Sequence, residues 1–303
     1  MPNWKGYIQL LRPPNLLTAL ADILGGVAII YGLSSNVGSS FETWLLTHQW
    51  SVLLLGLSSI CLYGGGVVLN DYFDASLDLI ERPERPIPSG RVPASHALLG
   101  GSMLLLGGVV LAFNVTYLSG YLALGIALLV LLYDAVTKKN GVLGPVNMGL
   151  CRGANLLLGM SLLGTVATFH FGLAIVPLIY IAAVTLISRG EVHGGNSMAL
   201  SLGIGVYLLV VLMVGSLGVL ASFDTVEAAP FLLLFLLMVL PPAWVARKGK
   251  DPTSIKRAVK MGVLALIPLN AALAAGFSGW IFGLLLLILL PLSLLTARLF
   301  AVT

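Results

Sequence analysis

Asp71, Asp74 and Asp78 recur at helical spacing in the segment Asn70-Asp71-Tyr72-Phe73-Asp74-Ala75-Ser76-Leu77-Asp78. At about 100° per residue the three carboxylates fall within a roughly 60° arc, with Asn70 beside them. Four oxygen-bearing side chains on one stripe repel one another unless a cation sits between them. Hard divalent ions such as Mg²⁺ take carboxylate oxygens together with substrate phosphate oxygens. A merely solvated helix end is the plain alternative, but acids are scarce in this chain. Of its 12 acidic residues, five lie between Asp71 and Glu84.

The following run, Glu81-Arg82-Pro83-Glu84-Arg85-Pro86-Ile87-Pro88-Ser89-Gly90-Arg91, ends the helix with prolines and presents three arginines directly after the acids. Guanidinium groups bind phosphate in planar, bidentate fashion, so acids, a metal and Arg82 and Arg85 together describe a diphosphate site. A second polar group comprises Tyr133, Asp134 and Lys138, followed by Asn147, Arg152 and Asn155. Arg152 falls inside an apolar run, where a charge is costly unless it is paired or faces a wet cavity. It is a candidate contact for the diphosphate or for an acceptor carboxylate. Asp22 is the other charge within an apolar run. It lies seven residues from Asn15 and shares its face, so the two either line a cavity or serve a structural pairing of Asp22 with Arg152.

The elements that must position these groups are membrane helices. The 303 residues are 58% hydrophobic and 9% charged, with a mean hydropathy of +1.02. A soluble domain carries about a quarter charged residues, so lipid is the implied solvent. Apolar stretches of about 18–22 residues, enough to cross a bilayer as helix, centre on ten places: Ala21–Tyr31, Val52–Leu69, Leu98–Val115, Ser119–Leu132, Val146–Gly164, Phe171–Ile187, Ala199–Leu220, Phe231–Val245, Met261–Ala275 and Ile281–Leu295. The runs are continuous rather than alternating, which excludes a β-barrel. The start, with Trp4, Lys5, Tyr7 and Arg12, reads as an interfacial helix with Trp4, Tyr7, Ile8 and Leu11 on one face, not as a cleavable leader.

With the N-terminus placed in the cytoplasm, the cytoplasmic loops hold Arg82, Arg85, Arg91, Lys138, Lys139, Arg189 and the cluster from Arg247 to Arg257. The opposite loops hold Glu42, Asp224 and Glu227 and no Lys or Arg. That is the positive-inside distribution, so the net charge of +4 reflects topology and gives no reason to expect a nucleic-acid partner. Cys61 and Cys151 sit within apolar runs, and no disulfide partner is expected.

Asn-Asp-x-x-Asp-x-x-x-Asp at 70–78 followed by Arg-Pro-Ile-Pro-Ser-Gly-Arg at 85–91 resembles the first signature of the UbiA prenyltransferase family, and Arg12-Pro13-Pro14-Asn15 and the order of spans also fit. The resemblance covers essentially the whole chain as one integral-membrane domain, 1–303. It implies an all-α, multi-pass transmembrane bundle of nine to ten helices around a cavity open towards lipid. It also implies transfer of a polyprenyl group from its diphosphate to an acceptor, with Mg²⁺ on Asp71, Asp74 and Asp78. The expected partners are a polyprenyl diphosphate donor, an aromatic, lipid or small-metabolite acceptor, and membrane lipids, in a bacterial plasma membrane. Family members commonly carry Tyr-x-x-x-Lys where Tyr133 and Lys138 stand one residue further apart.

One family feature is missing. The second acidic motif, Asp-x-x-x-Asp after the sixth span, is replaced by Ser188-Arg189-Gly190-Glu191-Val192-His193-Gly194-Gly195-Asn196. Only Glu191 is acidic, and Gly195 stands where the second acid belongs. Glu191 is expected to take one Mg²⁺, with Arg189 supplying positive charge and His193 a donor. This run, with Asn-Met-Gly-Leu-Cys-Arg-Gly at 147–153, resembles the EboC branch of the family. It also keeps open a non-catalytic relative that binds or transports a prenylated or small metabolite. The expected set is therefore catalytic Asn70, Asp71, Asp74, Asp78 and Glu191, and substrate-binding Asn15, Asp22, Arg82, Arg85, Tyr133, Lys138, Arg152, Asn155, Arg189 and His193.

Overall fold

The computed structural model describes residues 4–34, 40–164, 168, 170–191, 194 and 197–299, and among these no strand occurs. Ten helical segments are long and apolar enough to cross a membrane. They coincide one for one with the ten apolar runs. The second, Phe41–Phe73, is 33 residues and extends well beyond a bilayer's need.

Short α1 (Trp4–Leu11) precedes the first span, α2 (Pro13–Ser34). The second span is α3 (Phe41–Phe73), extended past a local break by α4 (Ala75–Glu81). The third, fourth and fifth spans are α5 (Ala94–Phe113), α6 (Tyr117–Ala135) and α7 (Leu143–Met160). Then come α8 (Ile175–Ser188), α9 (Ser197–Ser216) and α10 (Thr225–Gly249). The ninth span is two pieces, α11 (Pro252–Leu264) and α12 (Leu266–Ser278), and so is the tenth, α13 (Trp280–Leu287) and α14 (Leu289–Leu299).

The breaks have a cause. Ala265, Ile288 and Ala174 each stand three residues before a proline (Pro268, Pro291 and Pro177), where the missing N–H and the ring disturb the preceding turn. The eighth span carries Pro230, Pro241 and Pro242 without such a break.

The ninth span is the most enclosed, and nearly all of α12 is buried. It packs against α2 and α10, and α2 packs in turn on α7. Glycines permit the closest approach. A Cβ on Gly26 would lie 2.5 Å from the Leu156 carbonyl oxygen, and one on Gly159 would lie 2.4 Å from that of Ile23. In lipid, where helices gain little hydrophobic drive, such backbone contact is a main source of association.

α1 lies along the bundle by one side. Gly6 and Leu10 are buried, Leu10 in a small cluster with Val68, Val92 and Ala97, whereas Trp4 is exposed. The helix is thus strapped onto the end of α3 and onto the loop after α4, which is what brings Arg12 to the acids.

Candidate active site at one end of the bundle

α3 gives way to α4 at Asp74, yet hydrogen bonds run through the junction: the Asp74 N–H donates to the Asn70 carbonyl at 2.9 Å and the Asp78 N–H to that of Asp74 at 2.8 Å. The acidic stripe therefore survives, but its carboxylates turn to two sides. Arg85 Nη1 lies 2.7 Å from Asp78 Oδ2 and 3.2 Å from Asp71 Oδ1. Arg12 Nη2 lies 2.7 Å from the same Asp71 oxygen. Asp74 turns the other way and pairs with Lys138. Asn70 Nδ2 donates to Asp134 Oδ1 at 2.6 Å, and that oxygen is 3.8 Å from Lys138 Nζ.

Local sequence explains the placement. The prolines after Glu81 fold the chain back, so that the Val92 N–H reaches the Pro86 carbonyl and Arg91 donates to Gln9 Oε1 at 2.8 Å. Arg12 has φ +47°, a left-handed conformation, immediately before Pro13. Proline cannot extend the ladder back into α1, and the reversal at Arg12 aims its side chain at Asp71.

Two cavities lie on either side of Arg12. A polar vestibule of about 410 Å³ is lined by Arg12, Asp71, Arg82, Arg85, Glu191 and Lys256, among others. A second, mainly apolar cavity of about 210 Å³ runs between the helices against Leu62, Gly66, Val67, Ile126, Val130 and Met148. Arg12 lines both. Asn70, Tyr133 and Asp134 line the apolar cavity, as do Ser59, Tyr63, Arg152 and Asn155. Ser59 and Asn70 are eleven residues apart on α3, about 16 Å of helix, so the cavity has two polar ends and a greasy middle.

The polar end near Ser59 is closed by a buried network. Arg152 donates to Asp22 Oδ2 at 2.8 Å and to Thr18 Oγ1 at 2.9 Å, and stacks on Tyr63. Asn155 and Asn270 donate to the two Asp22 oxygens at 3.0 and 2.7 Å. Asp22 is wholly buried and lines neither cavity. Of its two alternatives, the pairing with Arg152 is the one the structure adopts.

The first acidic group fits a cation. Asp71 and Asp78 converge on a single nitrogen of Arg85, so the carboxylates already enclose a point of positive charge that a metal–diphosphate pair can replace. Burial pushes the Asp78 carboxyl above the ordinary aspartate range; Arg85 opposes this, and Asp71 and Asp74 add to it. Glu191 is different. Its nearest cation, Arg82 Nη2, is 3.8 Å away. Burial raises its carboxyl, against the pull of Arg82, Lys256, Arg12 and Arg85. A single carboxylate facing Arg82, with Lys256, Arg12 and Arg85 acting on it from further off, suits an incoming anion. Among the described residues no cluster of three or more His, Cys, Asp or Glu side chains closes on a common metal position.

Other expected residues separate. Arg82, Arg85, Tyr133 and Asn155 line one or other of the two cavities, and Lys138 lines neither but pairs with Asp74. Asn15 is buried in the first turn of α2 and lines neither. Arg189 is exposed and donates to the Lys139 carbonyl at 3.1 Å, away from Glu191. His193 lies outside the described residues. Arg12, Tyr63, Asp134, Lys256 and Asn270 were not among the expected site residues. Asp134 and Asn270 carried a signal, since each is a polar residue within an apolar span.

A profile described as the UbiA prenyltransferase family matches residues 27–267. This chain belongs to that family. The UbiA chain is 35% identical over 161 residues to digeranylgeranylglyceryl phosphate synthase of Methanosarcina barkeri, covering 53% of this chain and 55% of the relative. It is 31% identical to the Methanosarcina mazei protein of the same name, covering 62% and 63%. The matched segments thus span between half and two thirds of these curated relatives. Solved structures of the same fold include a UbiA homolog from Archaeoglobus fulgidus bound to GPP and Mg²⁺, with a TM-score of 0.60 at 16% identity over 88% of this chain and 99% of that one. Another, described in connection with digeranylgeranylglyceryl phosphate synthase in membranes, gives 0.62 at 21% identity over 92% and 99%. The resemblance to the EboC branch rests on the sequence motifs alone.

Proposed function

We propose that this UbiA-family chain transfers a prenyl group from its diphosphate to an acceptor held within the bundle. The observation that carries the reading is that Arg12 lines both the polar vestibule and the apolar cavity. Carboxylates and arginines that suit a metal-bound diphosphate stand at the mouth of a greasy chamber that suits the attached hydrocarbon.

Asp71 and Asp78 would hold Mg²⁺, which when bound neutralises diphosphate oxygens and so weakens the bond to the allylic carbon. The chain's own cations do the remaining electrostatic work. Arg12, Arg82, Arg85 and Lys256 surround the vestibule and stabilise the charge that builds on the leaving diphosphate. Lys138 holds Asp74 in place from the other side. The prenyl chain enters the apolar cavity, where Leu62, Val67, Ile126 and Val130 keep water from the electron-poor carbon. The names of the relatives and the GPP and Mg²⁺ bound by a structural neighbour support this reading. The distribution of Lys and Arg supports a site at the cytoplasmic face.

The environment of Glu191 favours one second reading, a UbiA-fold protein that binds a prenyl diphosphate without ionising it. The two separate in one experiment. Purified protein is incubated with a radiolabelled prenyl diphosphate, Mg²⁺ and a membrane lipid extract, beside Asp71→Ala. Label moving into a new lipid product in the wild type only supports transfer. Saturable binding without product supports the second reading.

A further inference from the structure

Asp134 is a buried acid with one carboxylate oxygen left without a partner. Its side chain is 1% exposed, and it lines the apolar cavity. Oδ1 accepts from Asn70 at 2.6 Å. Oδ2 is buried and makes no hydrogen bond in the structure. A buried carboxylate oxygen without a donor is costly, and in a residue that lines a cavity it marks a place where a ligand's donor would complete the network.

Its position gives that donor an identity. Asn70 precedes Asp71, and Arg12 both pairs with Asp71 and lines the same cavity. The diphosphate end of a donor at Asp71 and Arg12 therefore leaves its first carbon beside Asn70 and Asp134, where vestibule gives way to hydrocarbon. From this geometry we infer that Asp134 Oδ2 is the proton acceptor for an acceptor molecule that attacks through a hydroxyl group. The inference rests on the transfer reading above and names the acceptor's chemical class. As the acceptor oxygen bonds to the allylic carbon, the carbon–diphosphate bond breaks and its electron pair leaves with the diphosphate oxygen. The hydroxyl proton passes to Asp134 Oδ2. Asn70 holds the other oxygen and fixes the direction of the carboxylate.

The test compares wild type with the isosteric Asp134→Asn in two assays, donor binding and transfer of labelled prenyl groups to the hydroxyl fraction of a lipid extract. The inference requires donor affinity within about twofold of wild type and a transfer rate lowered about 100-fold or more. Asp134→Ala should regain transfer when formate is added, because the small carboxylate can occupy the space left. A merely structural Asp134 would weaken donor binding and transfer together and would not respond to formate. Transfer by Asp134→Asn at the wild-type rate, or an acceptor lacking any hydroxyl, overturns the inference and leaves prenyl transfer standing. Absence of transfer in the wild type overturns both.

Discussion

Asp22 and Arg152, 130 residues apart, form a 2.8 Å ion pair buried between the first and fifth spans. Two opposite charges held there, with Thr18, Asn155 and Asn270 filling their remaining bonds, cost little together and much apart. Asp22→Ala should therefore destabilise the detergent-solubilised protein by about 3–5 kcal/mol, because it strands the guanidinium. The double variant Asp22→Leu with Arg152→Met should recover a large part of that loss. Thermal unfolding of the three proteins checks this, and a double variant less stable than either single change contradicts it.

The contact between the first and fifth spans predicts a steric effect. Gly26→Ala puts a methyl group within 2.5 Å of the Leu156 carbonyl oxygen, a backbone atom that cannot swing aside. A loss of about 1–3 kcal/mol is expected, of the size seen for overpacked cores. Gly125, whose Cβ would meet nothing within 4 Å, is the control, and Gly125→Ala should be neutral or slightly stabilising. Equal unfolding temperatures for the two variants would refute the close packing.

The ten spans were legible in the sequence because lipid demands a continuous apolar helix and tolerates few exceptions. The acidic stripe was legible because acids are rare elsewhere. What spacing could not show is which partner each charge would choose. Asp71 takes Arg12 across 59 positions, Asn70 takes Asp134 across 64, and Asn270 reaches Asp22 across 248. Such pairings follow from which helices are neighbours, which hydropathy does not encode. Arg189 shows the same: its guanidinium donates to the Lys139 carbonyl of another loop, a partner that spacing does not reveal.

The cations around Glu191 predict its behaviour towards metal. Glu191→Gln should leave the affinity for Mn²⁺, used as a spectroscopic substitute for Mg²⁺, within about twofold of wild type, whereas loss of a true ligand or its support costs about tenfold or more. Asp78→Asn should show that larger loss. Bound Mn²⁺ measured by electron paramagnetic resonance distinguishes these, and a tenfold weakening in Glu191→Gln would restore it as a ligand.

Glu191 also carries a pH signature. Burial holds its proton more tightly in the folded protein than in the unfolded chain. Its contribution to stability is therefore full below the ordinary glutamate range and is lost as pH rises through the raised value. Thermal unfolding recorded across the acidic range should show that component in the wild type and lack it in Glu191→Gln. Parallel curves would contradict the raised carboxyl.

Lys138 bridges the acids of the second span and the wall of the cavity. Lys138→Met should lower the turnover of prenyl transfer about 100-fold, since it frees Asp74 to rotate and removes positive charge near the leaving group. The KM for the donor should change far less than kcat. A rise in KM alone would make Lys138 a binding residue.

Pyrophosphate release tests the site most directly. Purified protein is given prenyl diphosphates of several chain lengths, with a lipid extract as acceptor source, in Mg²⁺ or in excess chelator, alongside Asp71→Asn. Release that requires Mg²⁺ and disappears in the variant is the expected result. Release that persists in chelator or in Asp71→Asn would place the chemistry elsewhere in the chain, and no release from wild type with any donor would contradict prenyl transfer itself.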